Sequence, residues 1–113
     1  MIRVLFVCSR NQWRSPTAET MYRNHPALEV RSAGTSPNAR RTVNAGDLRW
    51  ADIVMVMEYT HKNRLKAQFG RLLEYKKVVV LDIPDDYHYM DPELIGLIED
   101  SVSRHLEIPD QDV

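Results

Sequence analysis

Only one cysteine occurs among the 113 residues of this chain. A lone cysteine excludes an internal disulfide and an internal dithiol redox cycle, and it is typical of proteins in a reducing cytoplasm. Long hydrophobic runs are also missing: no apolar stretch approaches the roughly 20 residues that span a bilayer, so no membrane contact is expected. The short apolar run after Met1 lacks a small-residue cleavage site, which argues against a secretion signal.

Metal-ligand spacing is absent as well. The 4 histidines are far apart in the sequence, so neither a metal nor another cofactor is expected. Hydrophobic residues make up 43% of the chain and charged residues 27%, which is the composition of an ordinary globular protein. Because domains commonly run to about 100–150 residues, we expect residues 1–113 to form one domain.

Charge is distributed unevenly along the chain. Residues 1–81 carry 14 Lys and Arg against 6 Asp and Glu, whereas residues 82–113 carry 1 against 10. A basic body can bind nucleic acid, a membrane surface or a small anion. The basic residues are scattered and are not interleaved with aromatic residues on one element, so a small anion is favoured over nucleic acid.

Apolar runs at residues 2–7, 53–57 and 78–81, with a mixed run at 28–32, predict four strands. Runs without polar alternation are typical of parallel strands buried on both faces. Helical spacing lies between them, at residues 18–25, 65–73 and 94–106, and a turn followed by a short helix is expected within residues 36–50. Asp91 and Pro92 are expected to open the last helix, and residues 109–113 to fray.

The loop after the first strand is the expected site of chemistry, because ligands bind beyond the carboxyl ends of parallel strands. It runs from Cys8 to Ser15, with Arg14 near its end and Ser15 expected to cap the following helix. Free N–H groups and the helix dipole favour an anion there, and they favour the thiolate form of a cysteine. Arg14 offers planar donors suited to phosphate oxygens, and Ser15 can donate to the sulfur.

This loop resembles that of the low-molecular-weight protein tyrosine phosphatases, Val-Cys-x-Gly-Asn-x-Cys-Arg-Ser-Pro-x-Ala-Glu. The matching residues are Val7, Cys8, Asn11, Arg14, Ser15, Pro16, Ala18 and Glu19. Residues 32–35, 51–57 and 84–87 resemble, respectively, the family's Ser-Ala-Gly-Thr segment, third strand and general-acid loop. The resemblance implies a single-domain, three-layer α/β sandwich in which helices flank a four-stranded parallel sheet of order 2-1-3-4.

The resemblance also implies phosphomonoester hydrolysis, with phosphotyrosine as the expected group, on a phosphorylated protein or a small aryl phosphate. Cys8 would form a cysteinyl-phosphate, and inorganic phosphate would leave as product. Arg14 and the loop amides would hold the phosphoryl oxygens, the loop comprising Ser9, Arg10, Asn11, Gln12, Trp13 and Ser15. Asp85 would act as general acid and then as base. Asn11 would hold the loop in a left-handed backbone conformation.

Several residues depart from the family pattern. Arg10 replaces a glycine, so it either strains the loop or adds charge at the pocket rim. Trp13 replaces a second cysteine and is expected to pack in the core beneath the loop. Asp86 replaces a proline and is the alternative general acid to Asp85. The connection between residues 35 and 51 is short, so Tyr87 is a candidate for the missing pocket wall.

Two other functions stay open. Arsenate reduction fits the same fold and loop, but with one cysteine it needs an external thiol. A catalytically inactive phosphate-binding module is the other alternative, if Arg10 or the short connection has ended turnover.

Overall fold

The computed structural model describes residues 1–106, in which strands and helices alternate along the chain. The strands are β1 (Ile2–Cys8), β2 (Leu28–Gly34), β3 (Ile53–Val56) and β4 (Lys77–Val80). The helices are α1 (Arg14–Tyr22), α2 (Ala45–Trp50), α3 (Tyr59–Leu73) and α4 (Pro92–His105). The predicted fraying of residues 109–113 lies outside the described residues.

The strands form one parallel sheet of order β2-β1-β3-β4, which confirms the predicted topology. β1 is therefore central, with β2 on one side and β3 on the other. At its carboxyl end, Cys8 pairs with Gly34 of β2, and Val7 pairs with Val56 of β3. The segments that follow β1, β2 and β3 consequently meet at one edge of the sheet.

Side chains of β1 alternate between two buried clusters. Val4, Phe6 and Cys8 point to the face covered by α1 and α4, whereas Leu5 and Val7 point to the face covered by α2 and α3. All five are buried, which explains why the strand shows no alternation of polar and apolar residues. Cys8 thus lies where the core of the first face meets the edge of the sheet.

The helices agree with the predicted segments apart from their limits. Asp91 caps α4, and its side chain accepts the Glu93 N–H, as expected. α1 ends at Tyr22, so His25 is buried outside the helix, and Leu97 of the predicted α4 stripe is 37% exposed. Each helix within residues 1–106 is too short or too polar to span a bilayer.

Candidate active site

The loop between β1 and α1 wraps around the sulfur of Cys8. Asn11 has a φ of 53°, the left-handed conformation predicted for it. The Asn11 side chain fixes this conformation by donating to the hydroxyls of Ser15 and Ser32, each at 2.9 Å. Within residues 1–106, the positive-φ residues do not include Arg10, so the replacement of glycine by Arg10 strains no backbone torsion.

Two donors converge on the sulfur. The Asn11 N–H donates to Cys8 Sγ at 3.2 Å, and Ser15 Oγ lies 3.0 Å from the same atom. Ser15 Oγ accepts from the Asn11 amide, and its own proton has two acceptors within reach, the Ala33 carbonyl oxygen at 3.4 Å and Cys8 Sγ at 3.0 Å. The sulfur is the nearer of the two, and a thiolate attracts the proton more strongly than a neutral carbonyl does. Donors arranged in this way stabilise negative charge on the sulfur.

Ser15 lies inside α1 and does not cap it, contrary to the sequence-based expectation. The helix begins at Arg14, and Trp13 occupies the capping position without a side-chain hydrogen bond. The helix therefore begins two residues earlier than the Ser-Pro pair predicts. The Ser15 hydroxyl therefore contacts Cys8 and not a backbone amide of the first turn.

Arg14 is buried, with only 2% of its side chain exposed, and is held on several sides. Its Nη1 donates to the Ile83 carbonyl at 2.8 Å and to Glu58 Oε1 at 2.5 Å, and its Nε lies 3.5 Å from Asp85 Oδ1. Glu58, immediately before α3, was missed by the sequence analysis. Its position just beyond the carboxyl end of a buried strand was the available signal.

A pocket of about 260 Å³ opens above the sulfur. It is lined by Cys8, Ser9, Arg10, Gln12, Trp13, Arg14 and Asp85. In the part of the chain that the structure describes, the N–H groups of Arg10, Gln12 and Trp13 donate to no protein acceptor. Unused amides, a buried guanidinium and a sulfur floor are what a tetrahedral oxyanion requires.

Of the two adjacent aspartates, Asp85 lines the pocket, whereas the exposed Asp86 does not. Tyr87, expected as a pocket wall, instead packs against the core cluster that contains Cys8, and it is not among the lining residues. The chain turns after Asp85, so these neighbouring side chains diverge. The structure brings together Cys8, Arg14 and Asp85 from the predicted set.

Trp13 departs from the expectation of core packing. The residue is only half-buried, lines the pocket, and meets the His88 ring edge-on with 4.7 Å between centroids. The aromatic wall of the pocket therefore comes from the loop itself, and His88 packs against the Trp13 ring without lining the pocket. Trp13 therefore forms the pocket wall that the sequence predicted for Tyr87.

His61, in the first turn of α3, is 1% exposed and was assigned only a packing or surface role from the sequence. Its Nδ1 accepts the Glu58 N–H at 3.0 Å, and its Nε2 lies 2.8 Å from Ser9 Oγ in the loop. Burial first, and then the positive charge of Arg14, lower the pKa of His61 to about 4. The ring is therefore neutral at physiological pH.

Gly34, at the end of β2, lets the loop approach the sheet. A Cβ built there would lie 2.5 Å from the Ser9 carbonyl oxygen and 2.9 Å from the Asn11 nitrogen. Only a residue without a side chain leaves room for that contact. The described residues contain no group of three or more His, Cys, Asp or Glu side chains placed to hold a metal ion.

Part of this chain is similar to known proteins. The family described as low molecular weight phosphotyrosine protein phosphatase matches residues 3–45, which include β1, the loop, α1 and β2. A protein-arginine-phosphatase from Bacillus subtilis (strain 168) is 32% identical over 60% of this chain. This chain spans 63% of the length of that relative.

Solved structures share the fold. The tyrosine phosphatase Wzb from Escherichia coli K30, in complex with phosphate, superposes with a TM-score of 0.75 at 22% identity, over 93% of this chain and 96% of its own. A low molecular weight protein tyrosine phosphatase from Streptococcus pyogenes gives 0.74 at 19% identity, over 95% of both chains.

Proposed function

We propose a cysteine-dependent phosphatase activity for this chain, which belongs to the low-molecular-weight protein tyrosine phosphatase family. One observation carries the proposal: Cys8 Sγ accepts the Asn11 N–H and lies 3.0 Å from the Ser15 hydroxyl, at the floor of a pocket lined by Arg14 and by loop residues with unused amides. Negative charge on the sulfur and donors around it suit nucleophilic attack on a phosphoryl group.

In the first step, Cys8 attacks phosphorus, so that an S–P bond forms while the bond from phosphorus to the leaving group breaks. Asp85 gives its proton to the leaving atom. In the second step, Asp85 takes a proton from water, whose oxygen attacks phosphorus and displaces the sulfur as inorganic phosphate forms. Arg14, held by Glu58 and Ile83, and the amides of the loop hold the phosphoryl oxygens in both steps.

Asp85 is the better candidate for the acid than Asp86. It lines the pocket and lies 3.5 Å from Arg14 Nε, the guanidinium that would hold the substrate. Asp86 is exposed and outside the pocket. An acid must lie within hydrogen-bond reach of the leaving atom, and a place on the pocket wall favours Asp85 for this role.

Protein-bound phosphotyrosine is the substrate that we favour. The half-buried Trp13 ring on the pocket wall gives an aromatic leaving group a surface on which to pack. Beyond Trp13 and Gln12, a second groove of about 610 Å³ continues along Arg23 and Arg40. A groove that shares a wall with the pocket accommodates chain that flanks the phosphorylated residue, which a small aryl phosphate lacks.

Phosphoarginine is a second candidate, since the Bacillus subtilis relative is a protein-arginine-phosphatase. The same steps would then break a P–N bond, and Asp85 would protonate the guanidine nitrogen. The two substrates differ in the leaving group that meets Trp13, a flat phenol in one case and a flexible guanidine in the other. Kinetics on peptides that differ only in that residue separate them.

The test is turnover by the wild-type chain and by a Cys8→Ser variant on an aryl phosphate, a phosphotyrosine peptide and a phosphoarginine peptide. We expect hydrolysis by the wild type, none by the variant, and a higher kcat/KM for phosphotyrosine. A higher value for phosphoarginine would replace the favoured substrate, and turnover by Cys8→Ser would refute the mechanism.

The same assay addresses the other functions that the sequence leaves open. Phosphate affinity without hydrolysis of any substrate would identify a binding module. Arsenate-dependent oxidation of an added thiol in place of hydrolysis would identify a reductase. We propose a cytoplasmic location, because a lone cysteine nucleophile needs a reducing compartment.

A further inference from the structure

A hydrogen bond joins the Cys8 loop to the first turn of α3, 52 residues later in the chain. It runs between Ser9 Oγ and His61 Nε2 at 2.8 Å. Ser9 follows Cys8 directly and lines the pocket, whereas His61 is buried behind it and does not. The proposed catalytic steps do not use this contact.

The direction of the bond follows from the other ring nitrogen. His61 Nδ1 accepts the Glu58 backbone N–H at 3.0 Å, so Nδ1 carries no proton. A neutral imidazole then has its single proton on Nε2. His61 is therefore the donor and the Ser9 hydroxyl oxygen is the acceptor.

An acceptor role for the Ser9 oxygen leaves the hydroxyl proton free. Within residues 1–106, that hydroxyl has no hydrogen-bond partner other than His61. Because His61 occupies one side of the oxygen, the proton turns away from it, and Ser9 borders the pocket that Arg14 and the loop amides line. A hydroxyl so placed is a further donor to a tetrahedral oxyanion.

We propose that Ser9 donates its hydroxyl proton to a nonbridging oxygen of the phosphoryl group, and that His61 is the positioning residue that orients it. This inference rests on the proposed function, since it assumes that the pocket takes a phosphoryl group. Glu58 takes part at both ends: its backbone N–H fixes the His61 tautomer, and its carboxylate holds Arg14. The start of α3 thus positions two donors to the same anion.

Two substitutions at position 61 separate orientation of Ser9 from support of α3. In His61→Gln, the amide nitrogen replaces Nε2 and can still donate to Ser9, but the acceptor for Glu58 is lost. In His61→Asn, the amide oxygen replaces Nδ1 and still accepts from Glu58, but the donor to Ser9 is lost. At position 9, Ser9→Ala removes the hydroxyl and Ser9→Thr keeps it.

The readouts are the inhibition constant of inorganic phosphate and kcat/KM on aryl phosphates with different leaving groups. A hydrogen bond to a charged group is worth enough that Ser9→Ala and His61→Asn should each weaken phosphate binding by roughly 10-fold or more. Because a nonbridging oxygen is involved, the loss in kcat/KM should not depend on the leaving group. His61→Gln and Ser9→Thr should recover most of the loss.

The double variant Ser9→Ala/His61→Asn supplies the decisive comparison. If His61 acts through Ser9, the double variant loses no more than Ser9→Ala alone. Multiplied losses, or equal losses in His61→Gln and His61→Asn, would overturn the proposal. Should His61→Asn fail to fold in a thermal unfolding scan, Ser9→Ala against Ser9→Thr still decides: equal phosphate binding by these two would refute donation from Ser9.

Calorimetric titration of inorganic phosphate, which requires no turnover, separates this inference from the proposed function. Hydrolysis by the wild type together with unchanged phosphate affinity in Ser9→Ala would refute the inference alone. Phosphate affinity that falls in Ser9→Ala, in a chain that hydrolyses no substrate, would refute the proposed function alone.

Discussion

Lowering the pH should destabilise this fold through His61. The pKa of His61 falls from 6.5 to about 4 in the folded chain, because the ring is buried and faces Arg14. Between pH 4 and pH 6.5, His61 therefore binds a proton in the unfolded chain but not in the folded chain. The contribution of His61 to stability is complete above pH 6.5 and is lost as the pH falls towards 4.

The size of this effect follows from the shift. At 1.36 kcal/mol for each pKa unit, the loss of unfolding free energy across that window is about 3 kcal/mol. Burial is the largest cause of the lowered pKa; the charges of Arg14 and Arg64 lower it further, and those of Glu58 and Asp85 oppose them. The loss is a large fraction of the 5–15 kcal/mol that is typical of domains.

Urea unfolding of the wild type and His61→Gln at several pH values between 4 and 7 measures this contribution. Glutamine does not titrate, and all other groups titrate in both chains, so their difference isolates His61. We expect the wild-type advantage at pH 7 to shrink steadily below pH 6.5. Parallel stability curves would show that folding does not lower the pKa of His61 and would refute the reasoning about its burial.

Three further predictions concern activity. Asp85→Asn should lower kcat/KM by about 10²–10⁴-fold, and the loss should be greatest for basic leaving groups. Asp86→Asn should change kcat/KM little, and a larger loss in Asp86→Asn than in Asp85→Asn would make Asp86 the general acid. Gly34→Ala should lower kcat/KM by roughly 100-fold, because the added Cβ would displace the Cys8 loop. Gly70→Ala is the matched control, since Gly70 has open space around it, and equal activities of the two variants would contradict the account of the loop. Arg40→Ala should raise KM by about 2- to 5-fold more for a phosphopeptide with acidic flanks than for one with neutral flanks, and equal effects would remove Arg40 from the substrate groove.

The architecture was accessible from the sequence because its signals are local. The apolar run of β1 and the Asp91-Pro92 start of α4 follow from burial and capping alone. The resemblance of the loop around Cys8 then supplied the topology, since that loop has its place at the carboxyl edge of such a sheet. Nothing in these steps needs knowledge of contacts between distant residues.

The finer parts of the site depend on contacts that the sequence does not record. Glu58 reaches Arg14, and His61 reaches Ser9, only because β3 lies next to β1 and α3 begins at the same edge. The position of Trp13 on the pocket wall depends on where the loop ends, and α1 begins at Arg14, before the Ser15-Pro16 pair. These contacts depend on which segments lie side by side in the folded chain, and the periodicity of the sequence does not encode that arrangement.

The charge pattern of the first 81 residues also acquires a structural meaning. Arg31 and Arg41 form ion pairs with the buried Asp47. Arg14 pairs with Glu58 and Asp85, so acidic residues of the same chain neutralise part of the positive charge. Within residues 1–106, Arg23 and Arg40 form no ion pair and line the groove beside the pocket. Unpaired charge is thus available where an acidic protein segment would approach.

Trapping of a phosphorylated enzyme tests the central claim most directly. The wild-type chain would be mixed with an aryl phosphate, quenched in acid within the first turnover, and digested for mass spectrometry. We expect the mass of one phosphoryl group on the peptide that contains Cys8, and more of it when Asp85→Asn slows the attack of water. Turnover with no phosphate on Cys8, in a chain whose quench preserves a phosphocysteine standard, would contradict the account.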